Sequence, residues 1–249
     1  MSSLVSIITP SYNSSKFIKD CVASVFSQTY KNWEMIIVDD CSKDNSKEII
    51  LELSAKDKRI KPIFLKKNVG AAEARNTAIR QSIGKYVAFL DSDDLWNPKK
   101  LEKQLSFMNE NEITFSYTTY QFISENGEDL SNIISAPEKM TYHSYLKNTI
   151  IGCLTVIIDR EKSGEFEMPN IRSSHDMALW LLIMKRGFSA YGLDENLAKY
   201  RVVSSSNTSN KLKAAKEVWY VYRIVEKLSV FYALICFVGY ALNAIRKRM

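Results

Sequence analysis

An α/β fold, with a mainly parallel central sheet flanked by helices, is what this 249-residue sequence predicts. Three observations point to it. Apolar runs of strand length alternate with helical stripes from residue 4 to residue 90. Those runs are almost continuously apolar, as strands buried on both faces require. Polar, turn-forming clusters close them.

The first run, "LVSIIT", ends at Pro10 and the turn-forming "SYNSS". "KFIKDCVASVFSQ" then sets Phe17, Ile18, Cys21, Val22 and Val25 on one helical stripe, and "WEMIIV" reads as a second strand ended by "DDCSKDNS". "SKEIILELSAK" is helical and "RIKPIFL" extended. After "KKNVG" comes a helix, "AAEARNTAIRQSI", expected to stop at Gly84, and then a fourth strand, "YVAFL". "LEKQLSFMNEN" reads as a helix, "ITFSYTTYQFI" as a strand, "SENGEDL" as a turn around Gly127, and "IGCLTVIID" as one further strand. "RSSHDMALWLLIMKRG" is a helix with Ser173 or Ser174 as cap, Asp176 in its first turn, Lys185 and Arg186 in its last, and Gly187 at its end.

The last forty residues differ in kind. "LSVFYALICFVGYALNAI", residues 228–245, carries no charge and precedes "RKRM". At 1.5 Å per residue it would be roughly 27 Å long, the lower limit for crossing a bilayer. Upstream, "NKLKAAKEVWYVYRIVEK" mixes basic residues with Trp219, Tyr220 and Tyr222, an interface-like composition. The expectation is a membrane-binding helical tail, residues 209–249, lying in or on the interface behind a domain of residues 1–208. A true span and a buried core or oligomer helix are the alternatives.

Composition is that of an ordinary globular protein, 46% hydrophobic and 25% charged. The net charge of +6 fits an anionic membrane surface or a phosphate-bearing substrate, and no nucleic-acid partner is expected. Cys21, Cys41, Cys153 and Cys236 form no C-x-x-C pair, so neither a zinc site nor a disulfide framework is read, and a reducing cytosol is the default. "MSSLVSIITP" runs straight into a strand, so no signal peptide is expected.

In parallel sheets, ligands bind outside the carboxyl ends of the strands. "PSYN", "DDCS" and "DSDD" all fall there, so one crevice is expected to receive Tyr12, Asp39 or Asp40, and Asp91 to Asp94. The last cluster asks for an explanation. Two carboxylates about 5 Å apart repel by roughly 3 kcal/mol at an effective dielectric of about 20. Either water screens them on a loop or a cation belongs between them.

"VSIITPSYN", "QTYKNWEMIIVDDCSKD", "NVGAAEARN", "YVAFLDSDDLW" and "SHDMALWL" stand in the order found in the inverting family 2 glycosyltransferases of GT-A fold, which residues 4–205 resemble. The resemblance implies a nucleotide-diphospho-sugar crevice, with a UDP-sugar as donor. Pro10, Tyr12 and Asn13 would form the base-side turn, Tyr12 packing on uracil and Asp40 accepting from its imide N–H. Asp39 would sit nearer the ribose or be structural. Gly70 and Arg75 match the nucleotide-side loop and helix, although Arg75 could instead pair with Glu73 or another acid.

"DSD" resembles the family's D-x-D motif. Asp93 is implied as direct ligand of Mn2+ or Mg2+, Asp91 as a ribose or water-mediated metal contact, and Ser92 as part of the donor site. Asp176 is implied as the general base. His175 replaces the commoner acidic neighbour of that base. A late histidine found in many relatives is also missing, since Val203 stands near its place, and Arg201, Ser204 and Ser206 are the substitutes considered for phosphate contacts on a lid.

The resemblance further implies a lipid-linked, undecaprenyl-diphosphate oligosaccharide acceptor in surface-polysaccharide synthesis at the cytoplasmic face of the bacterial inner membrane, with peripheral or monotopic attachment. The residues oppose two other readings. A nucleotidyltransferase needs a Gly-rich triphosphate loop that "PSYNSSK" lacks, and a catalytically weak UDP-sugar-binding scaffold is opposed by intact "DSD" and "HD". A protein or free-sugar acceptor stays open. The sequence does not set the sugar, the linkage or the oligomeric state.

Overall fold

The computed structural model describes residues 2–171, 173–203 and 211–246. Four parallel strands form its first half: β1 (Val5–Ser11), β2 (Trp33–Asp39), β3 (Ile60–Phe64) and β4 (Tyr86–Phe89), joined through α1 (Ile18–Phe26), α2 (Ser46–Lys56) and α3 (Ala71–Gln81). The second half adds β5 (Leu95–Trp96), α4 (Lys100–Glu110), β6 (Phe115–Ile123), β7 (Asp129–Ile134), β8 (Lys139–Met140) and α5 (Tyr142–Lys147). There follow a 3-10 turn at Cys153–Thr155, β9 (Ile157–Asp159), α6 (Arg160–Ser163), α7 (His175–Lys185) and β10 (Ala190–Arg201). The described chain closes with α8 (Lys211–Tyr220), a π-helical stretch at Val221–Val225, and α9 (Val230–Arg246).

Among the described residues the strand order is β3-β2-β1-β4-β9-β6-β10-β5, with β7 on β6 and β8 on β10. The sheet is mixed: the ladders β1–β2, β2–β3, β1–β4 and β6–β10 run parallel, as expected, and shorter antiparallel pairings complete it. β9 runs antiparallel to both β4 and β6, and β5 and β8 run antiparallel to β10. Apolar periodicity reports burial and spacing, and carries no information on strand direction.

Both faces of the first strands are buried, which accounts for their unbroken apolar runs. Ile8, Ile36, Val38 and Phe89 join one core with α3, α5 and α7. Their alternating neighbours Ile7, Met35, Ile37 and Ala88 join a second core with α1 and α4. Because β2, β1 and β4 are adjacent and parallel, their carboxyl ends open side by side, about 4.8 Å apart.

Two local readings are corrected. "IGCLTVIID" is not one strand: it breaks into the 3-10 turn and the three-residue β9. α3 ends at Gln81 with Ser82 extended (φ −80°, ψ 141°), so Gly84 does not stop it. Gly84 is needed for a close approach instead. A Cβ there would lie 2.7 Å from the Ser6 backbone nitrogen and 2.8 Å from the Leu4 carbonyl oxygen. Its own N–H donates to Ser6 Oγ at 2.8 Å, and that hydroxyl donates to Glu34 at 2.6 Å. Gly84→Ala is expected to destabilise the fold by about 1–3 kcal/mol, because backbone cannot step aside as a flexible side chain can. A thermal melt checks it, with a fall of several degrees expected for a chain of this size.

The tail is not separate from the domain before it. Val218, Val221, Tyr222, Ala233 and Cys236 are buried in the core that holds Phe89 and Trp180. Glu226 pairs with Lys185 of α7 at 3.0 Å and accepts from Tyr142 Oη at 2.5 Å. The boundary expected at 208/209 therefore divides no core. Among the described residues no helix is long and apolar enough to cross a membrane.

Candidate active site

The turn after β1 carries Tyr12, about half exposed, and Asn13 in the left-handed region (φ 49°). Asn13 is committed to its neighbour loop. Its N–H donates to Ser42 Oγ at 2.9 Å and its Oδ1 accepts from Lys43 N–H at 2.8 Å, which pins the turn after β1 to the loop after β2. Pro10 lies inside β1 opposite Val38. Asp44, which sequence reasoning did not single out, binds the Ser15 N–H at 3.0 Å and the Ser46 hydroxyl at 2.5 Å. Burial alone would raise its pKa, but these hydrogen bonds outweigh burial and bring it down to about 2.

Asp39 and Asp40 are both buried. Asp39 accepts from the Ser42 backbone at 3.0 Å and its hydroxyl at 2.5 Å. Asp40 accepts from Val69 N–H at 2.7 Å and Gly70 N–H at 2.8 Å, one on each oxygen. Asp40 thus fixes the loop that turns into α3, where Gly70 holds φ 90°. Each oxygen keeps a second lone pair, so acceptor capacity toward a ligand is retained.

Arg75, buried on α3, is where two distant motifs meet. Its Nη2 donates to Asp91 Oδ1, and its Nη1 lies 2.6 Å from His175 Nε2. Glu73, the other candidate partner, pairs with Arg80 instead. A guanidinium can only donate, so His175 Nε2 must accept and the imidazole proton must sit on Nδ1. Burial first, and the guanidinium second, lower the His175 pKa, which agrees with a neutral ring.

α7 begins from Ser174 in the left-handed region (φ 56°), without a side-chain cap. The expected serine cap is absent, and Asp176 supplies a substitute by accepting from Met177 N–H at 2.8 Å through Oδ1. By engaging Asp91 and His175 together, Arg75 places the acidic turn beside the residue next to Asp176.

The acidic turn divides by function. Asp94 is buried and accepts from the Arg201 N–H at 2.9 Å. Burial, then Asp93 and Asp91, push its pKa well up. Asp93 is raised to about 6, again by burial first and Asp91 second. Ser92, between Asp91 and Asp93 in sequence, is buried.

This crowding of acids fits a divalent cation. Two hard carboxylate oxygens are a suitable share of a Mn2+ or Mg2+ shell that keeps phosphate and water as its other ligands. Among the described residues no group of three or more His, Cys, Asp or Glu is placed to hold a metal by itself, so Asp93 and Asp91 would hold an ion jointly with the donor.

Arg201 is not on a lid. It is the last residue of β10, buried behind the turn, and donates to the Asp93 carbonyl at 2.8 Å and the Glu125 carbonyl at 2.9 Å. That corrects its reading as a lid residue. It holds the backbone of the acidic turn, because a buried guanidinium must spend its donors on whatever surrounds it. Ser204 and Ser206 lie outside the described residues.

Sequence reasoning also missed Tyr120, a half-buried β6 residue packed on Phe122 and Tyr200 at ring distances of 5.6 and 6.3 Å. Burial of its hydroxyl chiefly, then Tyr200, Asp94 and Asp176, raise its pKa. Strand alternation in "TTYQF" reports only that the residue lies on a sheet.

Comparison with known proteins agrees with this geometry. Residues 6–162 match the family model described as "Glycosyl transferase family 2". A proposed teichuronic acid biosynthesis glycosyltransferase of Bacillus subtilis (strain 168), TuaG, is 54% identical over 99% of this chain and 98% of its own. WfgD of Escherichia coli, a UDP-Glc:alpha-D-GlcNAc-diphosphoundecaprenol beta-1,3-glucosyltransferase, is 45% identical over 87% of this chain and 84% of its own. Among solved structures, S. aureus TarS (residues 1–349, in complex with UDP) superposes with a TM-score of 0.72 at 20% identity, covering 96% of this chain and 70% of that one. Mannosyltransferase PcManGT from Pyrobaculum calidifontis, in complex with GDP-Man and Mn2+, gives 0.71 at 16% identity, covering 98% and 70%. The chain belongs to glycosyl transferase family 2 and has the GT-A fold of those transferases.

Proposed function

We propose that this protein transfers one hexose or N-acetylhexosamine, with inversion, from a UDP-sugar to a hydroxyl of a lipid-linked, undecaprenyl-diphosphate oligosaccharide. The observation that carries the reading is the Arg75 bridge, which joins the acidic turn to the start of α7. In this reading Tyr12 packs on the base, Asp40 accepts from it, and Asp93 with Asp91 would hold Mn2+ or Mg2+ in the donor site. The chemistry that such an ion would supply is neutralisation of charge on the departing UDP. Asp176 takes the proton of the acceptor hydroxyl as its oxygen attacks the anomeric carbon; the carbon–oxygen bond to the diphosphate breaks, and UDP leaves with that electron pair.

The acceptor class is supported by WfgD and WfaP, both described as acting on alpha-D-GlcNAc-diphosphoundecaprenol with UDP-Glc. Their beta linkage is what inversion of an α-linked donor gives. Such an acceptor would put the work at the cytoplasmic membrane face, in polysaccharide assembly.

Titration calorimetry with UDP tests the donor site. Binding is expected to tighten at least about tenfold when Mn2+ is added, and Asp93→Asn is expected to abolish that gain while leaving the metal-free affinity in place. A metal gain unchanged in the variant would remove Asp93 from its assigned role.

A further inference from the structure

We propose that the outer face of α9 is a docking surface for an anionic lipid bilayer, on which the helix lies flat. The proposal rests on the lipid-linked acceptor reading only for its purpose; the surface is argued on its own features.

Phe231, Leu234, Ile235, Val238 and Leu242 are all exposed, Phe231 at 75%. Their spacing of three, one, three and four residues places them on one helical stripe. The opposite face is spent: Ala233 and Cys236 are fully buried in the protein core. Exposed Ile224 and Tyr220 extend the apolar surface toward α8. A cleft of about 430 Å³ between α8 and α9, lined by Ala215, Lys216, Trp219, Leu234 and Phe237, adjoins it and is large enough to take part of an acyl or prenyl chain. Soluble proteins rarely leave so continuous an apolar face uncovered.

Charge selects the occupant. From residue 211 to the end the sequence has eight Lys or Arg and two Asp or Glu, so this segment carries +6, the whole net charge of the chain. One of the two acids, Glu226, is turned inward and paired with Lys185. A second copy would bring the same positive charge to the contact, whereas anionic headgroups complement it. Length excludes the upright arrangement: 17 residues make about 25 Å, short of a hydrocarbon core of about 30 Å, and one face is already held by protein. An amphipathic helix in the interface plane satisfies all of these features.

Docking would also set the height of the site. α9 sits directly on α5, where a Cβ on Gly239 would come within 2.9 Å of Lys147 Cβ and Asn243 donates to the Lys147 carbonyl at 3.0 Å. Tyr145 and Leu146 of α5 share a core with α7, whose first turn carries Asp176.

The test is flotation of the full chain with vesicles of phosphatidylcholine alone and of phosphatidylcholine mixed with phosphatidylglycerol, alongside sedimentation of the free protein. The wild type is expected to float only with the anionic vesicles. Leu234→Glu/Val238→Glu, at exposed positions, is expected to lose at least about tenfold of that binding while keeping its melting temperature and its UDP affinity. Wild-type protein left behind by anionic vesicles, equal binding to both vesicle types, or a double variant that floats like the wild type would each overturn the proposal. So would a dimer that the double variant dissociates, since the face would then belong to a second copy. UDP affinity is read separately: its failure would strike the transferase reading and leave the docking result standing.

Discussion

Asp176→Asn is expected to cut transfer by about 100- to 10,000-fold in kcat while leaving UDP affinity within error of the wild type, the span that loss of a positioned general base produces. The substitution is nearly isosteric. The amide oxygen can still accept the Met177 N–H that Oδ1 accepts now, at 2.8 Å, so the first turn of α7 keeps its substitute cap. What is lost is the capacity to take a proton, together with a negative charge near a helix N-terminus worth about 0.3–1 kcal/mol of stability. A melt within a few degrees of the wild type, unchanged UDP titration and a collapsed kcat would together isolate the chemical step. Turnover near the wild-type rate would remove Asp176 as the base.

His175 does not compete for that role. Its Nε2 faces Arg75 at 2.6 Å, so the lone pair that would act as base is already directed at a guanidinium. Asp94 is excluded in a different way: it is buried and bound to the Arg201 backbone, behind the turn rather than in the crevice. Hydrogen bonding and burial thereby set His175 and Asp94 apart from their sequence neighbours Asp176 and Asp93.

That contrast marks what could be read before the structure. The first half of the sheet was legible because each strand is buried on both faces, so Ile8 and Ile7, or Ile36 and Ile37, are apolar for separate reasons and the run is unbroken. β10 was not legible. It places Asp194, Glu195 and Asn196 mid-strand, where its register against β6 shifts twice, and a bulged strand loses the period-two signal. β5 and β8, at two residues each, are too short to have a period.

In the site, motif order led to the expectation that Asp40, Asp91, Asp93 and Asp176 share one crevice. It could not give their partners: Arg75 was open between Glu73 and another acid, and Arg201 read as a phosphate contact when it serves the backbone of the acidic turn. Partners separated by 16, 100 or 108 positions are properties of the folded chain. The apolar run after residue 228 was ambiguous for a related reason, since hydropathy does not say that Cys236 faces protein while Phe231 faces outward.

Arg75→Gln is expected to lower both stability and turnover, and its pattern differs from that of Asp176→Asn. Removing one member of a buried ion pair costs about 3–5 kcal/mol; Asp91 is partly open to water, so a loss nearer 2 kcal/mol and a melting point lower by about 4–8 °C are expected. Turnover should fall about 100-fold, because α7 and the acidic turn lose their common anchor and small misplacements carry penalties of that size. Arg75→Lys restores the charge without a fork that can reach Asp91 and His175 together, so it should recover stability more than turnover.

The acid side of the stability curve supplies an independent readout. In the wild type, burial and the guanidinium lower the His175 pKa, so the unfolded chain binds a proton that the folded one refuses. Stability is therefore lost as pH falls below about 6.5. Without the guanidinium the folded ring accepts that proton more readily, and the loss on acidification becomes shallower in Arg75→Gln. A variant with wild-type turnover and an unchanged acid slope would mean that the two halves of the site are positioned independently of Arg75.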